Sequence, residues 1–214
     1  MSIVNLSIFV AFLASLTIFF FEGIRYKYLQ FFPVFLGVAG GLQVIGVILG
    51  DNGKHNVELY NFLVPAEFCF YIFTLYQIIG QRLVKKIILF LLLIFALFVA
   101  INLLFIQKIG VFNTMSYAVG SLLTVAVCIY YFFELFQMPQ VANIARLPAF
   151  WICVGLLFFY ACTFPLLGLV NFIRSAPLVI LTNLKTILNL LNVFLYSSFT
   201  IAFLCRIRVR SSTS

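Results

Sequence analysis

Lys86-Ile87-Ile88-Leu89-Phe90-Leu91-Leu92-Leu93-Ile94-Phe95-Ala96-Leu97-Phe98-Val99-Ala100-Ile101-Asn102-Leu103-Leu104-Phe105-Ile106 decides the fold. After its opening lysine no charge interrupts the run. At 1.5 Å per helical residue it is long enough to cross a hydrocarbon core of ~30 Å. Comparable runs fill the chain, at residues 2–21, 29–49, 59–79, 86–106, 111–137, 149–170 and 178–205. Their Phe, Leu, Ile and Val are continuous rather than alternating, which excludes membrane β-strands. The expectation is an all-α polytopic transmembrane bundle of seven spans.

Composition agrees. Of 214 residues, 65% are hydrophobic and 8% charged, whereas a soluble domain keeps about a quarter of its residues charged to hydrate its surface. The breaks are short and punctuated, as in Gly50-Asp51-Asn52-Gly53-Lys54-His55 and Met138-Pro139-Gln140. They leave no room for a second domain, so residues 1–207 read as one membrane domain and 208–214 as a short basic tail. The first run lacks the charged start and small-residue cleavage site of a secretory signal, and reads as a retained span.

The net charge of +8 comes from 13 Lys+Arg against 5 Asp+Glu. These basic residues lie between apolar runs and in the tail rather than on one soluble face, so nucleic acid is not an expected partner. They report topology instead. One side of the membrane takes Arg25, Lys27, Arg82, Lys85, Lys86, Arg146, Arg206, Arg208 and Arg210; the other takes Lys54, Lys108 and Arg174. That asymmetry places the C-terminus in the cytoplasm and the N-terminus outside.

Charges within spans are costly, ~2.5–3.5 kcal/mol each on insertion scales, and usually face the bundle interior. Glu67 in the third span and Lys185 in the seventh fall at similar depth, ~12 Å from the outer boundary at helical rise. They are therefore expected to form an ion pair or share a polar pocket. Around them run polar stripes at helical spacing: Thr182, Lys185, Asn189, Asn192 and Tyr196 on the seventh span, and Tyr60, Glu67, Tyr71 and Thr74 on the third. The fifth span carries Tyr117, Ser121, Thr124, Cys128 and Tyr131, which read as hydrogen-bonding glue between helices. A ligand site is accordingly expected at Glu67, Lys185, Tyr71, Asn189, Asn192 and Tyr60.

Other features read as structural. Gly37, Gly41, Gly46 and Gly50 permit close helix approach; Glu134 fits a solvated interfacial position. Trp151, Tyr26, Tyr28, Tyr130 and Tyr131 fit an aromatic belt. The five cysteines lie inside apolar runs without a CxxC pair, so no zinc site is expected. His55 stands in a loop, and one histidine beside Asp51 and Glu58 is too few ligands for a metal. There is no GxSxG, HExxH or P-loop. Neither enzymatic activity nor a cofactor is expected.

Asn56-Val57-Glu58-Leu59-Tyr60-Asn61 leading to Glu67-Phe68, with Pro148-Ala149-Phe150-Trp151-Ile152-Cys153-Val154-Gly155-Leu156-Leu157-Phe158-Phe159-Tyr160, resembles a group of short, uncharacterised bacterial seven-span integral membrane proteins. The resemblance covers about half the chain. It implies the seven-span fold and a multi-pass location in a bacterial inner membrane, and it implies no activity. The function expected is a non-enzymatic sensor or partner module. It would bind a small polar or amphipathic ligand between spans three, five and seven and signal through a membrane or cytoplasmic partner. The alternative is a small secondary transporter with Glu67 as its titrating group.

Overall fold

The computed structural model describes residues 3–20, 26–51, 56–106, 110–137, 143–168 and 178–210, without the side chains of 20, 51, 168, 178–182 and 206–210. The described residues form helices and contain no strand. The α-helices are α1 (Ile3–Phe20), α2 (Phe32–Asp51), α3 (Val57–Ile78), α4 (Arg82–Ile101), α5 (Thr114–Phe136), α6 (Pro148–Gly168) and α7 (Leu178–Arg210). Six helical segments are long and apolar enough to cross a membrane: Lys27–Gly50, Val57–Ile78, Arg82–Ile106, Thr114–Phe136, Pro148–Leu167 and Asn183–Cys205. Ile3–Phe19 is a shorter apolar helix.

Local chemistry sets the ends. Pro148 opens α6, where its missing N–H costs nothing. Asn113 caps α5 by accepting the Ser116 N–H at 3.1 Å. At Asn102 the regular ladder of α4 gives way to a π-helical turn, Asn102–Ile106, and the Asn102 amide turns into the protein. Pro65 lies inside α3, yet the helix runs through it to Ile78.

Packing makes α3 the central helix. It lies against α2, α4 and α5, while α1 bridges α2 and α7, and α6 joins α5 to α7. Over their apolar windows α3 is 44% buried and α4 only 17%, so α4 is peripheral. The core is aromatic. Phe68 of α3 meets Phe95 of α4, Tyr117 of α5 and Tyr160 of α6 at ring separations of 5.9, 5.6 and 4.8 Å. One turn on, Tyr71 meets Phe35 of α2 and Phe199 of α7 at 5.3 and 6.1 Å. Tilted and edge-on pairs of this kind each add ~0.5–1.5 kcal/mol beyond area burial.

Outside, large apolar side chains such as Leu93, Leu97 and Phe105 stand exposed, Phe105 to 80%. Water does not tolerate so continuous an apolar exterior, and lipid does. The molecule is an all-helical protein with the surface of a membrane protein.

Candidate functional site

Glu67 lies on the central helix, two residues after Pro65, where α3 passes α2. The two helices part there to leave a cleft of ≈230 Å³, lined by Phe35, Leu42, Phe62, Leu63 and Ala66 among other apolar residues, with Glu67 in the lining. Phe62 and Ala66 are exposed, so the cleft opens on the apolar outer surface. As a whole residue Glu67 is half-buried. Its charge is felt at Tyr60, Tyr71, Tyr117, Tyr160 and Tyr196, which come from α3, α5, α6 and α7. Glu67 thus connects a lipid-facing cleft to a tyrosine-rich interior. Among the described residues, no hydrogen bond or ion pair reaches its carboxylate.

Of the expected ion pair or shared pocket with Lys185, the ion pair is absent among the described residues. The reason is packing. The helix α7 lies chiefly against α1 and α6, and Lys185 falls on a face that they leave exposed. The seventh-span stripe divides along its length. Its far end, Tyr196, is buried near Glu67; Asn189 and Asn192 are partly buried; the Thr182 side chain lies outside the described residues. Asn192 donates to the Leu188 carbonyl of its own helix at 2.8 Å.

The third-span stripe does turn inward. Tyr71 and Thr74 are buried, and the Tyr60 hydroxyl lies 3.3 Å from Gln43 Oε1 on α2. All five fifth-span residues are buried. Ser121 and Thr124 donate to the Tyr117 and Gly120 carbonyls within α5, and Tyr117 crosses to Thr163 of α6 at 2.5 Å. That is glue, mostly turned on its own helix. The stripes of α3, α5 and α7 meet through Tyr71, Tyr117 and Tyr196, joined by Tyr160 of α6. Tyr160 was absent from the expected set, although a lone tyrosine mid-run in an apolar span is a readable signal.

Two polar clusters escaped the sequence reading. At one end of α3, Asn61 donates to the Val111 carbonyl and accepts from the Asn113 N–H, both at 2.9 Å. Asn102 donates to Asn113 Oδ1 at 2.6 Å and to Ser116 Oγ at 3.2 Å. These three asparagines are 1%, 0% and 4% exposed in the order Asn61, Asn102, Asn113. At the other end, Glu134 of α5 accepts from the backbone N–H groups of Gly80 and Gln81, and Tyr130 hydrogen-bonds the Gln81 side chain. Glu134 thus caps the α3–α4 connection through exposed hydrogen bonds. The helices α3, α4 and α5 are clasped at both ends.

The glycines of α2 do admit close neighbours: Phe12 at Gly37, Ile8 at Gly40 and the Tyr60 hydroxyl at Gly46. Gly41 faces open space. Among the described residues no cluster of His, Cys, Asp and Glu could hold a metal ion. His55, Lys54, Arg25, Lys108, Arg174, the Pro139-Gln140 pair and residues 211–214 lie outside the described residues.

Compared with protein-family models, curated proteins and solved structures, the chain matches none.

Proposed function

We propose that the chain is a non-enzymatic sensor or partner module of the membrane, whose ligand is a small amphipath that enters between α2 and α3 and sets a cationic or hydrogen-bond-donating head against Glu67. The observation that carries this reading is the Glu67 carboxylate in the lining of an apolar, laterally open cleft. Hydrocarbon cannot solvate that group, and an arriving donor or cation offsets the cost. The apolar lining suits the tail of the same molecule. The tyrosines behind Glu67 reach α5, α6 and α7, which gives an occupied cleft a physical route to the rest of the bundle. A membrane or cytoplasmic protein would receive the signal.

The reading assumes seven spans in a bacterial inner membrane, N-terminus outside and C-terminus in the cytoplasm. In its support, the 18 residues of α1 measure about 27 Å and pack against both α2 and α7. The basic residues are unequally divided between the two sides, and the third and sixth helices carry the segments that resemble short bacterial seven-span proteins. The test is binding of a fluorescent long-chain alkylamine to the protein in nanodiscs. Saturable binding lost in Glu67→Gln supports the proposal, and binding indifferent to Glu67 removes it.

One observation favours a second reading, a secondary transporter. A carboxylate without a bonded partner among the described residues is available to a proton. Uptake into proteoliposomes that follows a proton gradient and is lost in Glu67→Gln would select transport over sensing.

A further inference from the structure

Where the ends of α3 and α5 meet the starts of α4 and α6, beside the Lys27–Leu29 turn, the bundle holds a second cavity of ≈560 Å³. Its chemistry is opposite to that of the Glu67 cleft. Lys27, Lys85, Tyr28, Tyr76, Gln77 and Tyr131 contribute to its walls. The Lys85 ammonium stands 5.6 Å from the centre of the Tyr76 ring, which holds it at the cavity edge. Tyr28 is 8% exposed and shares the wall with Ala149 at the start of α6. Tyr131 is only 6% exposed, yet its hydroxyl has no hydrogen-bond partner among the described residues. The nearby carboxylate, Glu134, is already bound to the Gly80 and Gln81 amides. Two lysines, a tyrosine whose hydroxyl has no acceptor among the described residues, and a neutral glutamine line the space.

We propose that this cavity binds a phosphate-bearing anion. Phosphate oxygens accept from both lysines and from Tyr131, and charge-assisted bonds of this kind are the strong ones. The phosphate belongs either to the headgroup of an anionic phospholipid or to a dissolved phosphate compound. Both present the same group to the same walls, and the site is independent of the Glu67 cleft.

The experiment measures melting of the full chain in phosphatidylcholine nanodiscs, with and without phosphatidylglycerol, and separately with added inorganic phosphate or glycerol phosphate. A rise with phosphatidylglycerol alone assigns the lipid headgroup; a rise with the dissolved compounds assigns a soluble phosphate. Either rise must vanish in the Lys27→Gln, Lys85→Gln double variant and persist in Lys86→Gln, which changes the same charge at an exposed residue outside the cavity walls. Tyr131→Phe, which removes only the hydroxyl, should raise the half-maximal anion concentration about tenfold. No rise in any arm, or a rise that survives the double variant, overturns the proposal. Should the double variant melt low in phosphatidylcholine alone, Tyr131→Phe decides, and an unchanged midpoint there overturns it.

Discussion

Both carboxylate oxygens of Glu134 lie 3.1 Å from the backbone nitrogen of Gly80, and a Cβ on Gly80 would stand 2.9 Å from Oε1. The carboxylate meets unsatisfied amides at the start of α4, where negative charge is favoured. Glu134→Ala should lower stability by about 1–2 kcal/mol, allowing for the exposure of the Gly80–Gln81 turn. Gly80→Ala should cost a similar amount, because the added methyl displaces the carboxylate. The two should not add: once Glu134 is gone, the methyl has nothing to displace. A double-mutant cycle on unfolding in mixed micelles measures this, and full additivity would show the contact to be idle.

Phe68 of α3 packs directly on Gly120 of α5. A Cβ on Gly120 would fall 2.5 Å from Phe68 Cδ2, and the ring is fully buried against its neighbours. Overpacking costs about 1–3 kcal/mol, whereas replacing a helical glycine by alanine returns about 1 kcal/mol of propensity. Three ring atoms lie within 2.8 Å of the added carbon, so the clash wins and Gly120→Ala should destabilise. In a Phe68→Leu background the clash is relieved and only the propensity gain is left. There the same substitution should be neutral or stabilising, and the reversal of sign is the readout.

The asparagine cluster should be worth more than its residue types suggest. Interhelical hydrogen bonds in membranes average only ~0.6 kcal/mol. Here Asn113 Oδ1 serves both the Asn102 amide and the Ser116 N–H, and Asn61 is bonded to the loop backbone on two sides. Asn102→Ala and Asn113→Ala should each cost about 1–2 kcal/mol, through a buried group left unsatisfied in the first and a lost helix cap in the second. The pair together should cost clearly less than the sum. Thermal unfolding of the three variants tests it.

How much of this was readable follows from which signals are local. Apolar run length is local, and helices such as 57–78 for an expected 59–79 fall where the runs do. The inward turn of Tyr71 and Thr74 follows from helical spacing alone. The fate of Lys185 depended on something periodicity does not carry, namely which face of α7 its neighbours α1 and α6 leave exposed. Asn102 and Asn113 were overlooked because each sits at a run's edge and looks like ordinary punctuation. Only the fold brings them together with Asn61 from an earlier helix. Tyr160 carried a visible signal, a polar ring in mid-span, that spacing arguments confined to spans three, five and seven passed over.

The separation of Glu67 from Lys185 gives the sharpest stability prediction. Were they paired, removing either would strand the other and the losses would be strongly coupled. Lys185 is exposed and Glu67 has no bonded partner among the described residues, so neither depends on the other. Lys185→Ala should stay within ~0.5 kcal/mol of the native protein. Glu67→Leu should leave stability unchanged or raise it, since an acid in hydrocarbon costs ~2.5–3.5 kcal/mol on insertion scales. The double variant should equal the sum within ~0.5 kcal/mol. If Glu67→Leu melts higher while alkylamine binding disappears, Glu67 is held at the expense of stability, as expected of a group kept for a ligand. A marked loss of stability would instead make it a structural residue and leave the α2–α3 cleft without a recognition element.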